Sequence, residues 1–256
     1  MKNKPALAFI GSGNAAWSLA TAFRAAGYEI TGVASRNVKT GKSLAKQVNS
    51  VFTTPENLLE NAEVCFICVQ DRYIKELATA LSKTPSLLVH CSGSAALKEL
   101  GNHLSTGVFY PVISMRSGRK LSFKEIPVCI ESESAASLKI LKQLGKSLEA
   151  KVVVMNSLQR QQLHLAAVFV NNFSNACFTA AEDITDQAGL NFSLLKPLLQ
   201  ESLQLMQTHR PSESQTGPAK RNDTAILNKH LSLLKEMPEH HKLYKVMSAF
   251  IRNRYA

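Results

Sequence analysis

One stretch constrains the fold more than any other: Ala6-Leu7-Ala8-Phe9-Ile10-Gly11-Ser12-Gly13-Asn14-Ala15-Ala16. A short apolar strand runs into G-x-G-x-x-A, and helix-forming residues follow at once, the context in which this pattern marks a dinucleotide site. Gly11 allows the tight turn, Gly13 lets a pyrophosphate approach the backbone, and Ala16 lets the helix pack close to the sheet. Ser12, Asn14 and Ala15 complete the loop, and the first N–H groups of the helix face the phosphates. The strand is expected to be the first of its sheet.

Apolar runs of strand length recur at 29–34, 50–52, 64–69, 87–91, 107–111, 127–131 and 151–155, mostly separated by helical patterns. Alternation of this kind predicts an α/β fold, a Rossmann-type parallel sheet covered on both faces. From Ser157 onward no strand is evident. One long helix is expected over 157–186, with others near 192–208, 223–236 and 239–253. The chain therefore divides into a sheet domain, 1–155, and an all-helical domain, 156–256, the latter serving substrate binding and dimerisation.

Composition excludes other classes. No apolar stretch is long enough to span a bilayer. The start MKNKPALAF leads directly into the fingerprint strand, leaving no separate export signal, so a cytoplasmic location is expected. The formal charge is +11, but Lys and Arg are dispersed and no nucleic-acid motif is present; a basic surface favours anionic cofactor and substrate instead. Five cysteines form an odd set. Cys65 and Cys68 sit three apart on a strand, hence on opposite faces, and read as core residues rather than metal ligands.

The second strand ends in Ser35-Arg36, where an NAD enzyme would present a carboxylate to the ribose. A hydroxyl and a guanidinium there suit the additional phosphate of NADP. Ligands of open parallel sheets bind outside the carboxyl ends of strands, which nominates Val69 and Gln70 after one strand and Ser92 and Gly93 after another. Asp71 reads equally well as a helix cap, and His90 as a core residue. On the long helix, His164, Val168 and Asn172 are spaced i, i+4, i+8 and share a face, with Arg160 one turn earlier; an imidazole can donate a proton and an amide can orient a carbonyl. In Thr216-Gly217-Pro218-Ala219-Lys220-Arg221-Asn222-Asp223, Asp223 suits a helix N-cap, and Arg221 can clamp an anion. His240-His241 reads as a solvated pair.

The fingerprint, Ser35-Arg36, the strand–SG turn and the helical second half together resemble the 6-phosphogluconate-dehydrogenase-like superfamily, which includes ketopantoate reductase and pyrroline-5-carboxylate reductase. HCSGS (90–94), RQQLHLAAVFVNNF (160–173) and TGPAKRND (216–223) are similar to bacterial proteins with a C-terminal domain of unknown function. The resemblance implies a Rossmann domain, a helical domain that often dimerises, and a catalytic cleft between them. Ketopantoate reductase-like members carry Lys, then Asn four and eight residues on; the corresponding positions here are His164, Val168 and Asn172, of which only Asn172 matches, and His164 is read from its own chemistry as a substitute for the lysine. Asn222 replaces a glycine of the relatives' loop, and Tyr110 stands where they carry His.

These readings converge on an NADP-dependent oxidoreductase acting on a small, anionic carbonyl, imine or hydroxy compound. His164, Asn172 and Arg221 are the catalytic candidates, and no metal is invoked. The alternative is a dimeric NADP-binding sensor without turnover. A homodimer through the helical domain is expected in either case.

Overall fold

The computed structural model describes residues 4–81, 84–119 and 121–255; the first three residues of the MKNKPALAF start lie outside that range. Eight strands form one sheet: β1 (Leu7–Ile10), β2 (Ile30–Ala34), β3 (Val51–Phe52), β4 (Val64–Ile67), β5 (Leu87–His90), β6 (Thr106–Pro111), β7 (Pro127–Glu131) and β8 (Lys151–Val154), in the order β3-β2-β1-β4-β5-β6-β7-β8. All residues of β1, β4 and β5 are buried, which is why these segments are continuously apolar rather than alternating. The helices between them are α1 (Asn14–Ala25), α2 (Val38–Gln47), α3 (Pro55–Leu59), α4 (Ile74–Ala80) and α5 (Ala135–Ser147).

One pairing departs from the expected parallel sheet: β6 and β7 are antiparallel. A parallel neighbour needs a crossover, usually a helix, and no helix separates Pro111 from Pro127 among the described residues.

Each face of the sheet has its own core. On one, Phe9, Phe66, Val89 and Phe109 pack with Leu19 and Phe23 of α1 and Leu141 and Leu144 of α5; Phe9 stacks on Phe66 at 5.0 Å between ring centroids. On the other, Ile10, Cys65, Ile67 and Leu88 pack with Ile74 and Ala78 of α4. Each of the Leu, Ile, Val and Phe side chains among them contributes about 2 kcal/mol on burial. Cys65 belongs to one face, and Cys68 borders the other.

The long helix has three parts: α6 (Ser157–Ala167), a π-helical turn (Val168–Phe173) and α7 (Ser174–Gln187). A π turn is wider than an α turn, so side chains beyond it are out of phase with those before it. The shared-face argument for His164, Val168 and Asn172 assumed an uninterrupted α-helix, and it does not extend to Asn172. Compactness divides the chain after Asn172, whereas composition changes at 155/156. The difference has a cause: α6 is anchored to the sheet by Arg160 and by Leu163, which packs on the second core.

From Phe173 on, the second unit comprises α7, α8 (Lys196–Thr208), α9 (Thr224–Leu233) and α10 (Pro238–Tyr255). Asp223 caps α9 by accepting from the Ile226 N–H at 3.1 Å, and Asn222 before it is left-handed, φ 52°. His240, rather than being solvated, meets Asp183 of α7 at 2.9 Å. Among the described residues, no helix is long and apolar enough to cross a membrane.

Candidate active site

A cleft of about 1160 Å³ opens at the carboxyl ends of β1, β4 and β5, beside the point where the strand order reverses. Its floor is the β1–α1 loop. Gly11 has φ 120°, and a Cβ there would lie 2.1 Å from the Cys68 carbonyl oxygen; only glycine fits. Gly13, the N-cap of α1, has open space where its Cβ would be and offers no side-chain cap. The leading N–H groups of α1 are thus left for an anionic ligand. Asn14 also lines the cleft, and its Oδ1 accepts from the Ser117 N–H at 2.8 Å.

At the end of β2, the Ser12 hydroxyl lies 2.7 Å from both Ser35 Oγ and Thr40 Oγ1, which ties the phosphate loop to the second strand. The Arg36 guanidinium stacks on Tyr73 at 4.2 Å from the ring centroid, and Arg72 approaches the same ring at 4.8 Å. Hydrogen bonding by Arg36, then the charge of Arg72, draws the Tyr73 hydroxyl below the usual phenol range. No ion pair found among the described residues involves Arg36, so its charge is not neutralised by a carboxylate. Tyr73 was not among the residues singled out from sequence; only the fold carries it to Arg36.

Val69, Gln70 and Ser92 line the cleft as well. Asp71 accepts from the Ser92 hydroxyl at 2.7 Å and from that of Ser94, joining the ends of β4 and β5. Gly93 stands apart from this group. It is buried beneath another pair, and a Cβ there would lie 2.6 Å from His164 Nδ1 and 2.8 Å from Tyr110 Cζ.

That pair is held by α6. Asn156 and Gln159 close a capping box at its start. Arg160, with no exposed surface, bonds the Glu131 carboxylate of β7 and the Ala95 carbonyl after β5. Gln161 adds a 2.8 Å bond to the Ser94 carbonyl. Arg160, expected near the reactive face, is therefore the anchor of the helix. One turn on, His164 Nδ1 lies 3.0 Å from the Tyr110 hydroxyl, the two rings edge to face. Burial first, then Cys129, raises the Tyr110 hydroxyl above its ordinary range, with Arg160 opposing. Tyr110 thus keeps its proton and faces Nδ1, which leaves Nε2 as the other ring nitrogen of His164.

His90 has no exposed surface; its Nδ1 accepts from the Ser92 N–H at 3.2 Å, while among the described residues no group meets good hydrogen-bond geometry at Nε2. Asn172 is exposed at the end of the first unit, and Arg221 and Thr216 are exposed in the second.

Residues 6–92 match the family "NADP oxidoreductase coenzyme F420-dependent", and residues 126–251 match the domain of unknown function DUF2520. The crystal structure of BF3122 from Bacteroides fragilis, named as a candidate NADP oxidoreductase, is 32% identical, covers 98% of both chains and superposes with a TM-score of 0.89. Protein TM1727 from Thermotoga maritima is 24% identical over 97% of this chain and 98% of its own, TM-score 0.71. The imine reductase from Myxococcus stipitatus, solved in complex with NADP+, is 17% identical over 97% and 93%, TM-score 0.69. No curated protein matches the sequence.

Proposed function

We propose that this chain, which belongs to the NADP oxidoreductase family with a DUF2520 C-terminal domain, is an NADPH-dependent reductase of a small, anionic imine or carbonyl compound. The observation that carries the reaction is the Tyr110–His164 pair over Gly93, one residue beyond the cleft-lining Ser92. The residues present fit the cofactor. The uncapped start of α1 and the open Gly13 suit its diphosphate. Ser35 and the unneutralised Arg36 on Tyr73 suit a 2′-phosphate, with no carboxylate at that strand end to hold the ribose hydroxyls of NAD.

NADPH, when bound, supplies the hydride. His164 delivers a proton from Nε2 to the substrate nitrogen or oxygen, the imidazolium becoming the neutral ring as it does so, and Tyr110 orients that ring through Nδ1. Arg160 holds α6, and so the imidazole, in place. Asn172 is proposed to orient the polarised group.

The proposed assembly is a homodimer. Among the described residues from Phe173 onward, only Ala219, Leu227 and Leu234 are buried hydrophobics, whereas Leu203, Val246 and Phe250 are more than 60% exposed. A helical unit with so small a core and so much apolar surface calls for cover. Light scattering should return twice the 28.0 kDa chain mass.

The test of the reaction is NADPH oxidation against a panel of cyclic imines and 2-oxo acids. Turnover of at least one, faster with NADPH than with NADH or reduced F420, is the expected result. Tight NADPH binding without transfer to any of them would favour a nucleotide-binding sensor.

A further inference from the structure

Cys68 and Cys91 directly follow Ile67 and His90, which are register partners at the ends of β4 and β5. Their sulfurs lie 3.6 Å apart, and both line the cleft. Neighbouring strands sit about 4.8 Å apart, within the Cα separation a disulfide bridges, so side-chain rotation closes most of the remaining gap. Cys65 is directed into the opposite core.

Cys68 is also pressed against the phosphate loop. Its carbonyl oxygen lies 2.1 Å from where a Gly11 Cβ would be, and its N–H donates to the Ile10 carbonyl at 2.8 Å. A shift of the Cys68 backbone on closure would therefore be felt at Gly11.

We propose that Cys68 and Cys91 are a reversible oxidation site that closes to a cystine under peroxide and, in closing, displaces the phosphate loop. The Cys68 thiolate attacks one oxygen of hydrogen peroxide; the O–O bond breaks, the departing hydroxide takes up the proton that the Cys68 thiol released and leaves as water, and a sulfenic acid remains on Cys68. The Cys91 sulfur then attacks the Cys68 sulfur. The S–S bond forms as the S–O bond breaks, and the departing hydroxide takes up the Cys91 proton as a second water. The thiols lose two electrons and the peroxide gains them; a dithiol reductant reverses the change by exchange. The hydrogen bond to Cys68, followed by burial, holds the Cys91 thiol well above its ordinary value; the linked product is the same whichever of the two sulfurs is oxidised first. Weaker nucleotide binding by the cystine form is a consequence that rests on the proposed cofactor site; the cystine itself does not.

The experiment exposes the full chain to hydrogen peroxide without nucleotide, then alkylates under denaturing conditions and maps the peptides by mass spectrometry. A Cys68–Cys91 linked peptide that dithiothreitol abolishes, and that C68S and C91S both lack, is expected. Alkylatable Cys68 and Cys91, or sulfinic acid on either without a link, would overturn the proposal. Hydrogen exchange of the Gly11–Ala15 segment should accelerate in the cystine form; unchanged exchange would overturn the displacement of the loop. Calorimetry should then show NADPH binding weakened on the order of tenfold, an ordinary coupling between sites. If the reduced protein takes up no NADPH, the cofactor reading fails while the linked peptide still stands.

Discussion

The Tyr110 hydroxyl lies 3.0 Å from His164 Nδ1, joining β6 to α6, the helix that follows the sheet. With Nδ1 facing Tyr110, Nε2 is the nitrogen through which the proposed proton transfer runs. His164→Ala should lower kcat about 10²–10⁴-fold, the usual scale of a lost general acid. Tyr110→Phe should cost less, since the imidazole remains. It should also let the ring sample both tautomers, and nitrogen-15 shifts of His164 report this without any substrate. An unchanged tautomer in Tyr110→Phe would remove the positioning role.

Gly93 separates two readings of one residue. As a cofactor contact, its replacement would weaken nucleotide binding. Its position predicts otherwise: the Cβ of Gly93→Ala would intrude on His164 and Tyr110 at 2.6 and 2.8 Å, and the ring must move. The expected outcome is a fall in kcat with NADPH affinity unchanged. A loss of affinity with kcat intact would return Gly93 to the cofactor site.

Arg36 is the residue proposed to distinguish the cofactor's extra phosphate. A hydrogen bond to a charged group is worth about 1.5–3 kcal/mol, so Arg36→Asp should weaken NADPH by roughly 10–100-fold and leave NADH little changed. Tyr73→Ala, which removes only the ring under the guanidinium, should shift the same ratio by less. Equal losses for both nucleotides in a titration would count against the assignment.

Much of the sheet domain was legible because its signals are local. The glycine spacing, the apolar runs and the Ser35-Arg36 strand end each act within a few residues, and the cleft gathers Gly11, Gly13, Ser35, Arg36, Gln70 and Ser92 around one space. What was not legible depends on partners distant in the chain. Tyr73 gains meaning only under Arg36, Tyr110 only under His164, and Cys68 only beside Cys91. Arg160 resembled a reactive-face residue until Glu131, 29 residues earlier, supplied its counter-charge. The π turn at 168–173 has no evident signature in Val-Phe-Val-Asn-Asn-Phe, and it alters the phase on which the helical reading of Asn172 depended.

The Arg160–Glu131 pair should behave as a buried anchor. Arg160→Met leaves the Glu131 carboxylate, whose side chain is 15% exposed, with only the Ser157 N–H and hydroxyl. Removing one partner of a buried pair costs about 3–5 kcal/mol, and denaturant unfolding should show a loss of that size. The double variant Arg160→Met/Glu131→Leu should recover much of it, because both charges are then gone. A single variant as stable as the parent would show that α6 is held by packing alone.

His90 gives the fold an acid limit. Burial first, then the Arg160 charge, lowers its pKa from 6.5 to about 4, with Asp71 and the Ala96 backbone opposing. In the unfolded chain the imidazole takes a proton near pH 6.5; in the fold it resists until about pH 4. Between those values the unfolded state binds more protons, so stability rises with pH across the window. The contribution is complete above pH 6.5, is lost as pH falls through about 4, and amounts to about 3 kcal/mol. His90→Gln keeps an acceptor for the Ser92 N–H but cannot titrate. Urea midpoints measured down that range should therefore fall more steeply for the parent than for His90→Gln, and parallel curves would mean that His90 is protonated in the fold as easily as in the open chain.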